Sequence, residues 1–444
     1  MPVPTLNSGG KRTMAEVAVI GGGVAGIQAA LDLADHDIRV HLIEREPSIG
    51  GHMAQLDKTF PTNDCSMCIL SPKMVDISRH PNVIVHTLTE VTSITGDVGD
   101  FTITAVRHPR YVDENTCNGC GDCTEICPVE VYNAFDAGVG VRKAIYKPHP
   151  QAVPDITIRD AVHCIDCGLC YDICGKDSIL REEDEKEVTL HVASVVIATG
   201  FRTFDAEKKT AFGYLRHPDV ITSLEFERLI NASGPTGGKI KRLSDGKPPD
   251  HIVFIQCFGS RDIPEKRPYC SGVCCMYAVK NAIIIKEKNP DTRVTICYMD
   301  IRAYGKGYEE YYVRAQEMGV RFLRGRPGEI IRTEDGMIIP VENTETSELE
   351  TLEPGLVVLS VGLEPADGAA ELAEKFGIEL DENGFFEQED MKCAPVKTVR
   401  PGIYIAGAAV APKDIPDSVT QGEAAAMRAF LDTVATEQDT KCEQ

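Results

Sequence analysis

Eight of the seventeen cysteines fall between Cys117 and Cys174, in two copies of one pattern. The first copy is Cys117, Cys120, Cys123 and Cys127 followed by Pro128, spaced C-x2-C-x2-C-x3-C-P. The second is Cys164, Cys167, Cys170 and Cys174 with the same spacing, and Gly175 stands where the proline would be. Zinc ribbons present two C-x2-C pairs rather than two runs of four. Disulfide frameworks this dense belong to small secreted domains, and this chain has 444 residues. The spacing is that of thiolates around [4Fe–4S] clusters, so the stretch is expected to hold two of them and to carry electrons singly.

A chain of this length folds as two or three domains, since single cores rarely grow past ~250–300 residues. No run approaches the ~18–20 apolar residues of a bilayer span, and no secretory signal opens the sequence. A soluble cytoplasmic protein is expected, free or held at a membrane through a partner. Seventeen cysteines then suit a reducing compartment, where thiolates serve metals and redox chemistry. The net charge of −22 argues against nucleic acid or an anionic membrane as ligand.

From Ala15 the pattern is that of a dinucleotide site. Val17 to Ile20 reads as a short buried strand, and Gly21, Gly22, Gly23, Val24, Ala25, Gly26 turns into a helix carrying Ile27, Ala30, Leu31 and Ala34. In G-x-G-x-x-G, here Gly21, Gly23 and Gly26, the glycines let backbone approach a pyrophosphate, and the helix N-terminus stabilises its charge. A second strand, Val40 to Ile43, ends in Glu44, 18 residues after Gly26 and placed to grip ribose hydroxyls, with Arg45 beside it. Val195 to Gly200, Val357 to Gly362 and Gly402 to Gly407 read as further strands ending in small-residue turns, the last followed by a helix over Val419 to Leu431.

These segments resemble the two-dinucleotide-domain flavoprotein disulfide reductases of the thioredoxin reductase kind. The resemblance implies an α/β fold of two Rossmann-type domains, with FAD on the first glycine motif and Gly51, Gly200 and Gly407 near it. The two cysteine runs resemble bacterial two-cluster ferredoxins, which implies an inserted α+β domain with crossed ligation: Cys117, Cys120, Cys123 and Cys174 on one cluster, Cys164, Cys167, Cys170 and Cys127 on the other. A second G-x-G-x-x-G would bind NAD(P)H after the strand His251 to Ile255. Gln256, Cys257, Phe258, Gly259, Ser260, Arg261 stands there instead, so a degenerate nicotinamide site is expected. Cys257, Cys270, Cys274 and Cys275, four thiols within nineteen residues, read as a third iron–sulfur cluster or as a thiol relay.

The run from Gly50 to Met74, containing Thr59-Phe60-Pro61-Thr62-Asn63-Asp64-Cys65-Ser66-Met67-Cys68, closes the pattern. With the double cysteine run and the Cys257 to Cys275 group, it resembles the A subunit of heterodisulfide reductase and its relatives, including the A subunit of the quinone-interacting membrane-bound oxidoreductase complex. The family implies FAD, two [4Fe–4S] clusters in the insert, and a third [4Fe–4S] cluster on Cys257, Cys270, Cys274 and Cys275. It also implies work inside an oligomeric complex, with B- and C-like iron–sulfur subunits and an electron-donor subunit of hydrogenase, formate dehydrogenase or sulfur-metabolism type.

Long family members carry a further ferredoxin-type domain near the C-terminus, where this chain has only Cys442. Either a partner supplies that branch for electron bifurcation, or the chain is a simple conduit. The expected function is an FAD and iron–sulfur oxidoreductase subunit converting electron pairs to single electrons. The alternatives are a non-enzymatic relay feeding a membrane quinone or sulfur-metabolism oxidoreductase, and a stand-alone NAD(P)H-dependent reductase. The expected organisation is a disordered opening over 1–14, FAD domain over 15–110, ferredoxin insert over 111–182, FAD-domain return over 183–247, second Rossmann-like domain over 248–355, the last part of the FAD domain over 356–435, and a tail over 436–444.

Two further readings stay open. Cys65 and Cys68 form a C-x2-C pair that reads as a redox dithiol, as packing, or as a share in another metal site; the thioredoxin reductase group carries its reactive pair in the other domain. Lys413, in the loop after Gly407, is either a cation tuning the flavin or a solvent-facing lysine.

Overall fold

The computed structural model describes residues 5–6, 12–13, 15–334 and 336–442. Of the opening expected to lack structure, the described residues are Thr5–Leu6 and Arg12–Thr13, which pair antiparallel; the other residues of 1–14 lie outside the described set, as do the last two of the tail.

Two five-stranded parallel sheets organise the chain. The first runs in the order Ile403–Ile405, Ser194–Ile197, Glu16–Ile20, Arg39–Ile43, Val83–His86. Its central strand has Val17, Ala18, Val19 and Ile20 all buried, the continuous apolar run that a sheet covered on both faces requires. The helix Val24–Asp35 packs behind it, and Gly26 permits this: a Cβ there would lie 1.9 Å from the Gly21 carbonyl oxygen. The helix Ile415–Cys442, longer than the Val419 to Leu431 expected, crosses the same face, where a Cβ on Gly422 would lie 2.5 Å from the Ala25 oxygen.

The second sheet runs Val220–Thr222, Leu356–Val361, His251–Phe258, Arg293–Tyr298, Arg321–Arg324. Leu356–Val361 is therefore next to the centre of this sheet, not a strand of the FAD domain beginning at 356, and Val220–Thr222 leaves the 183–247 return to join it. An apolar run such as Val357 to Val361 is equally at home in either parallel sheet, so its composition does not say which one it enters.

The cysteine-rich segment hangs from a third, antiparallel sheet. Phe101–Arg107 pairs with Lys186–Val192 in register from Arg107 opposite Lys186, so the two ends of the insert leave from adjacent strands. Within it, each cysteine run forms one short helix, Asp122–Ile126 and Leu169–Ile173, each entered through a left-handed glycine, Gly121 and Gly168. Two buried arginines dock the insert. Arg110 donates to the Pro47 oxygen (3.0 Å), Thr87 Oγ1 (2.7 Å) and Glu114 Oε1 (2.9 Å), fixing it to the first domain. Arg228, on the helix Ser223–Ile230, donates to Asp136 Oδ1 (2.9 Å) and to the Gln55 oxygen (2.8 Å), fixing it to the second. Among the described residues no helix is long and apolar enough to cross a membrane.

Candidate redox site

A cavity of about 730 Å³ opens where the first sheet, the second domain and the insert meet. Gly21, Gly23, Glu44, Arg45, Gly51 and Gly200 line it. Gly23 has open space where a Cβ would point, whereas Gly51 takes φ +55° against Gly23 and Gly200 takes φ +72°. Gly26 and Gly407 serve packing: Gly407 sits on the Ala25 side chain, and Ala406 and Ala408 make the wall beside it. Glu44 is buried, which raises its carboxyl above the usual range, and its two oxygens accept the Gly22 (2.6 Å) and Glu46 (2.9 Å) N–H groups. It thus stiffens the glycine turn itself.

The wall fits a large polar cofactor. Thr199 Oγ1 and His149 Nδ1 are buried, border the cavity, and have no hydrogen-bond partner among the described residues. Burial lowers the His149 pKa to about 4, so the ring is neutral; its Nε2 lies 3.2 Å from Ser48 Oγ. Such orphaned groups are costly unless a ligand or water meets them. Lys413 lines the same cavity, its Nζ donating to the Gly407 oxygen (2.8 Å) and Gln421 Oε1 (2.8 Å). Burial lowers its pKa from 10.5 to about 8. It is not a solvent-facing lysine.

Cysteines of both runs come together in the insert. Cys127, Cys164, Cys167 and Cys170 surround a void of about 20 Å³ walled also by Ala144, Ile145 and Arg159. Of the other set, Cys117 Sγ and Cys123 Sγ each lie 3.9 Å from Thr157 Oγ1, and Cys117 and Cys174 pack on the core formed by Cys123, Cys127 and Cys170; Cys120 is exposed. Burial raises the Cys123 thiol and pushes Cys170 up to about 11, so these sulfurs stay protonated until a metal displaces the proton.

In the second domain Cys274 feels the charge of Cys275, Cys257 and Cys270, Cys275 that of Cys257 and Cys270, and Cys257 that of Cys270, although among the described residues no three such side chains stand close enough to hold a metal ion as placed. Cys257 holds a left-handed φ of +55° where the strand slips register between Ile255 and Phe258, a strained conformation for a residue with a side chain. Burial raises Cys274 well above the ordinary thiol range and Cys275 to about 11. Cys274 and Cys275 open the helix Cys274–Lys288, and this segment also presents Val273, Tyr277 and Lys280 to the cavity.

Sequence reasoning missed two features. Lys280 and Glu227 form a buried ion pair on the cavity wall, Lys280 also donating to the Lys58 oxygen at 3.0 Å. The segment Arg142 to Tyr146 faces two ways, Arg142 and Tyr146 lining the cavity while Ala144 and Ile145 wall the void among the cysteines. Cys65 and Cys68 are both exposed, at the start of the helix Ser66–Arg79.

Fold and site together define a two-domain flavoprotein carrying an iron–sulfur insert. Residues 16–64 match the family model of FAD dependent oxidoreductases, and residues 116–179 that of the 4Fe-4S dicluster domain. The iron-sulfur A subunit of CoB–CoM heterodisulfide reductase from Methanocaldococcus jannaschii is 53% identical over 411 residues, 92% of this chain and 63% of the relative. The A subunit of the H(2):CoB-CoM heterodisulfide,ferredoxin reductase from Methanothermobacter marburgensis is 49% identical over 421 residues, 94% of this chain and 64% of the relative. The chain thus spans less than two thirds of these relatives' length. Thioredoxin reductase of Lactococcus lactis shares the fold at a TM-score of 0.53 and 17% identity, covering 95% of this chain and 99% of that one. Over more than nine tenths of its length, the chain is similar to heterodisulfide reductase A subunits.

Proposed function

We propose that the chain is the FAD and iron–sulfur electron-transfer subunit of a heterodisulfide reductase-like complex. It exchanges electron pairs at the cavity and single electrons through clusters on Cys117, Cys120, Cys123 and Cys174, on Cys127, Cys164, Cys167 and Cys170, and on Cys257, Cys270, Cys274 and Cys275. The observation that carries this reading is the shared walls. Ala144 and Ile145 border the void among four cysteines while Arg142 and Tyr146 border the cavity, and one helix bears both Cys274, Cys275 and the cavity residues Tyr277 and Lys280.

Bound in the cavity, FAD supplies the conversion between electron pairs and single electrons. The chain's own groups do the rest. Gly23 leaves room for a pyrophosphate at the N-terminus of the helix Val24–Asp35, where N–H groups and the helix dipole favour negative charge. Lys413 holds a cation in a partly dehydrated position, and Thr199 and His149 offer the cofactor unengaged polar atoms. The insert and second domain exclude water from the surrounding wall through the buried Arg228–Asp136 and Lys280–Glu227 pairs.

The turn after His251–Phe258 supports a flavin fed by partners rather than by nicotinamide. A Cβ on Gly259 would lie 2.0 Å from the Phe204 ring, and Arg326 donates to the Cys257 oxygen at 3.4 Å; the turn lacks the spaced glycines that bring backbone up to a pyrophosphate. Partners of this kind are B- and C-like iron–sulfur subunits and a donor subunit of hydrogenase, formate dehydrogenase or sulfur-metabolism type. Stopped-flow mixing of the anaerobic chain with NADH, NADPH and a reduced iron–sulfur donor tests the reading. Reduction by the iron–sulfur donor alone is expected, and rapid flavin bleaching by either nicotinamide would overturn it.

A further inference from the structure

The insert's two cysteine sets stand in different surroundings. Cys117 Sγ and Cys123 Sγ lie 3.9 Å from the neutral Thr157 hydroxyl. The void among Cys127, Cys164, Cys167 and Cys170 is walled instead by the guanidinium of Arg159, a residue only 7% exposed. Arg159 ends the strand Ile158–Arg159, opposite Ile145. Its Nη1 donates to Cys164 Sγ at 3.8 Å and its Nη2 to the Arg181 oxygen at 2.7 Å, and its charge also bears on Cys170. The Tyr111 ring centre lies 4.6 Å from the guanidinium carbon and that of Tyr171 5.8 Å. Its ion-pair partner, Asp166 at 3.9 Å, is exposed, so water screens that carboxylate. Arg159 Nε is buried and has no hydrogen-bond partner among the described residues, a costly state unless a bound group meets it.

We propose that Arg159 makes the cluster on Cys127, Cys164, Cys167 and Cys170 the higher in reduction potential of the insert's two, so that the first electron to enter the insert settles beside the flavin cavity. A cluster on four thiolates becomes more negative when reduced, and a buried cation with an N–H on a ligand sulfur stabilises that reduced form more than the oxidised one. In a buried wall the charge is screened far less than at the surface. Thr157 offers the other set a hydroxyl dipole without net charge, so its pull is weaker. No bond forms or breaks and no proton moves: one electron leaves reduced flavin or a reduced iron–sulfur partner, and one cluster accepts it. Ala144 and Ile145 line the Arg159 void while Arg142 and Tyr146 line the cavity, which puts the electron-holding site on the flavin's side of the insert. Arg159 is a positioning residue, acting on the electron through the cluster. This role rests on the two-cluster reading of the insert, and iron content tests that reading separately.

The full chain and its Arg159→Met, Arg159→Gln and Arg159→Lys variants are purified anaerobically and their iron and acid-labile sulfide measured. Each is then titrated with dithionite and mediators while electron paramagnetic resonance follows the reduced clusters. In an iron-replete neutral variant, Arg159→Met or Arg159→Gln, one midpoint is expected to fall until the one-electron equilibrium constant has dropped by about tenfold or more, ~59 mV. Arg159→Lys keeps the charge and is expected to keep most of the parental midpoint. In a Cys127→Ala background, which lacks the cluster concerned, Arg159→Met is expected to move no remaining midpoint. Neutral variants whose midpoints all match the parent's, a shift of equal size in Arg159→Lys, or a shift that persists in the Cys127→Ala background would overturn the proposal. So would loss of insert iron from both neutral variants, which would make Arg159 a support of the fold. A parent chain holding fewer than about eight irons would overturn the two-cluster reading itself.

Discussion

Lys413 ties cofactor binding to pH in a way that can be worked through. Burial holds its pKa at about 8 rather than 10.5, because dehydration disfavours the ammonium and the Asp417 charge offsets only part of that. The unfolded chain therefore binds the extra proton between about pH 8 and 10.5, and the ligand-free fold gains stability as pH rises through that window. Below pH 8 both states are protonated, and keeping the buried charge costs on the order of 3 kcal/mol. An anionic cofactor that restores the ordinary lysine pKa would recover that cost, so its affinity falls as pH rises from about 8, at most tenfold per pH unit. Fluorescence titration of the apoprotein with FAD between about pH 6.5 and 10.5 measures this. The parent is expected to show a break near pH 8 that Lys413→Met abolishes, and the variant's apoprotein is expected to unfold at higher urea. A parent profile identical to that of Lys413→Met would refute the reasoning.

Three other substitutions probe the architecture. Arg228→Met strips Asp136 of its partner in a buried site, so urea unfolding should show a loss of about 3–5 kcal/mol, most of it recovered when Asp136→Asn is added. Gly26→Ala places a Cβ 1.9 Å from the Gly21 oxygen; FAD retention through gel filtration should be abolished, and a variant retaining a full complement would contradict the turn's role. Cys127→Ala removes one wall of the void it shares with Cys164, Cys167 and Cys170, so iron should fall by about four per chain; an unchanged iron content would show that Cys127 is not a ligand.

What the sequence made legible was what depends on local spacing. The strand, glycine turn and helix from Glu16 to Asp35 sit where Gly21, Gly23 and Gly26 require, and the equal cysteine runs fold into equal short helices. Contacts made by docking were not legible. Nothing in the alternation of Arg142, Ala144, Ile145 and Tyr146 says that a cavity lies on one side and four sulfurs on the other, because that depends on Arg110 and Arg228 seating the insert between two domains. Lys280 and Glu227 read as ordinary helix charges until the helices are brought face to face. Glu44 was expected at a ribose, and in the fold its oxygens first hold the turn's own N–H groups, a second use of one carboxylate that spacing cannot reveal.

We propose that one flavin and three clusters are carried by this chain. The most direct test is the iron, acid-labile sulfide and flavin content of the anaerobically purified chain, followed by reductive titration with dithionite. About twelve irons and one FAD per chain, with the flavin and all clusters reduced in the same titration, is the predicted result. About eight irons with an intact insert would remove the cluster on Cys257, Cys270, Cys274 and Cys275, and a chain without flavin would contradict the account at its centre.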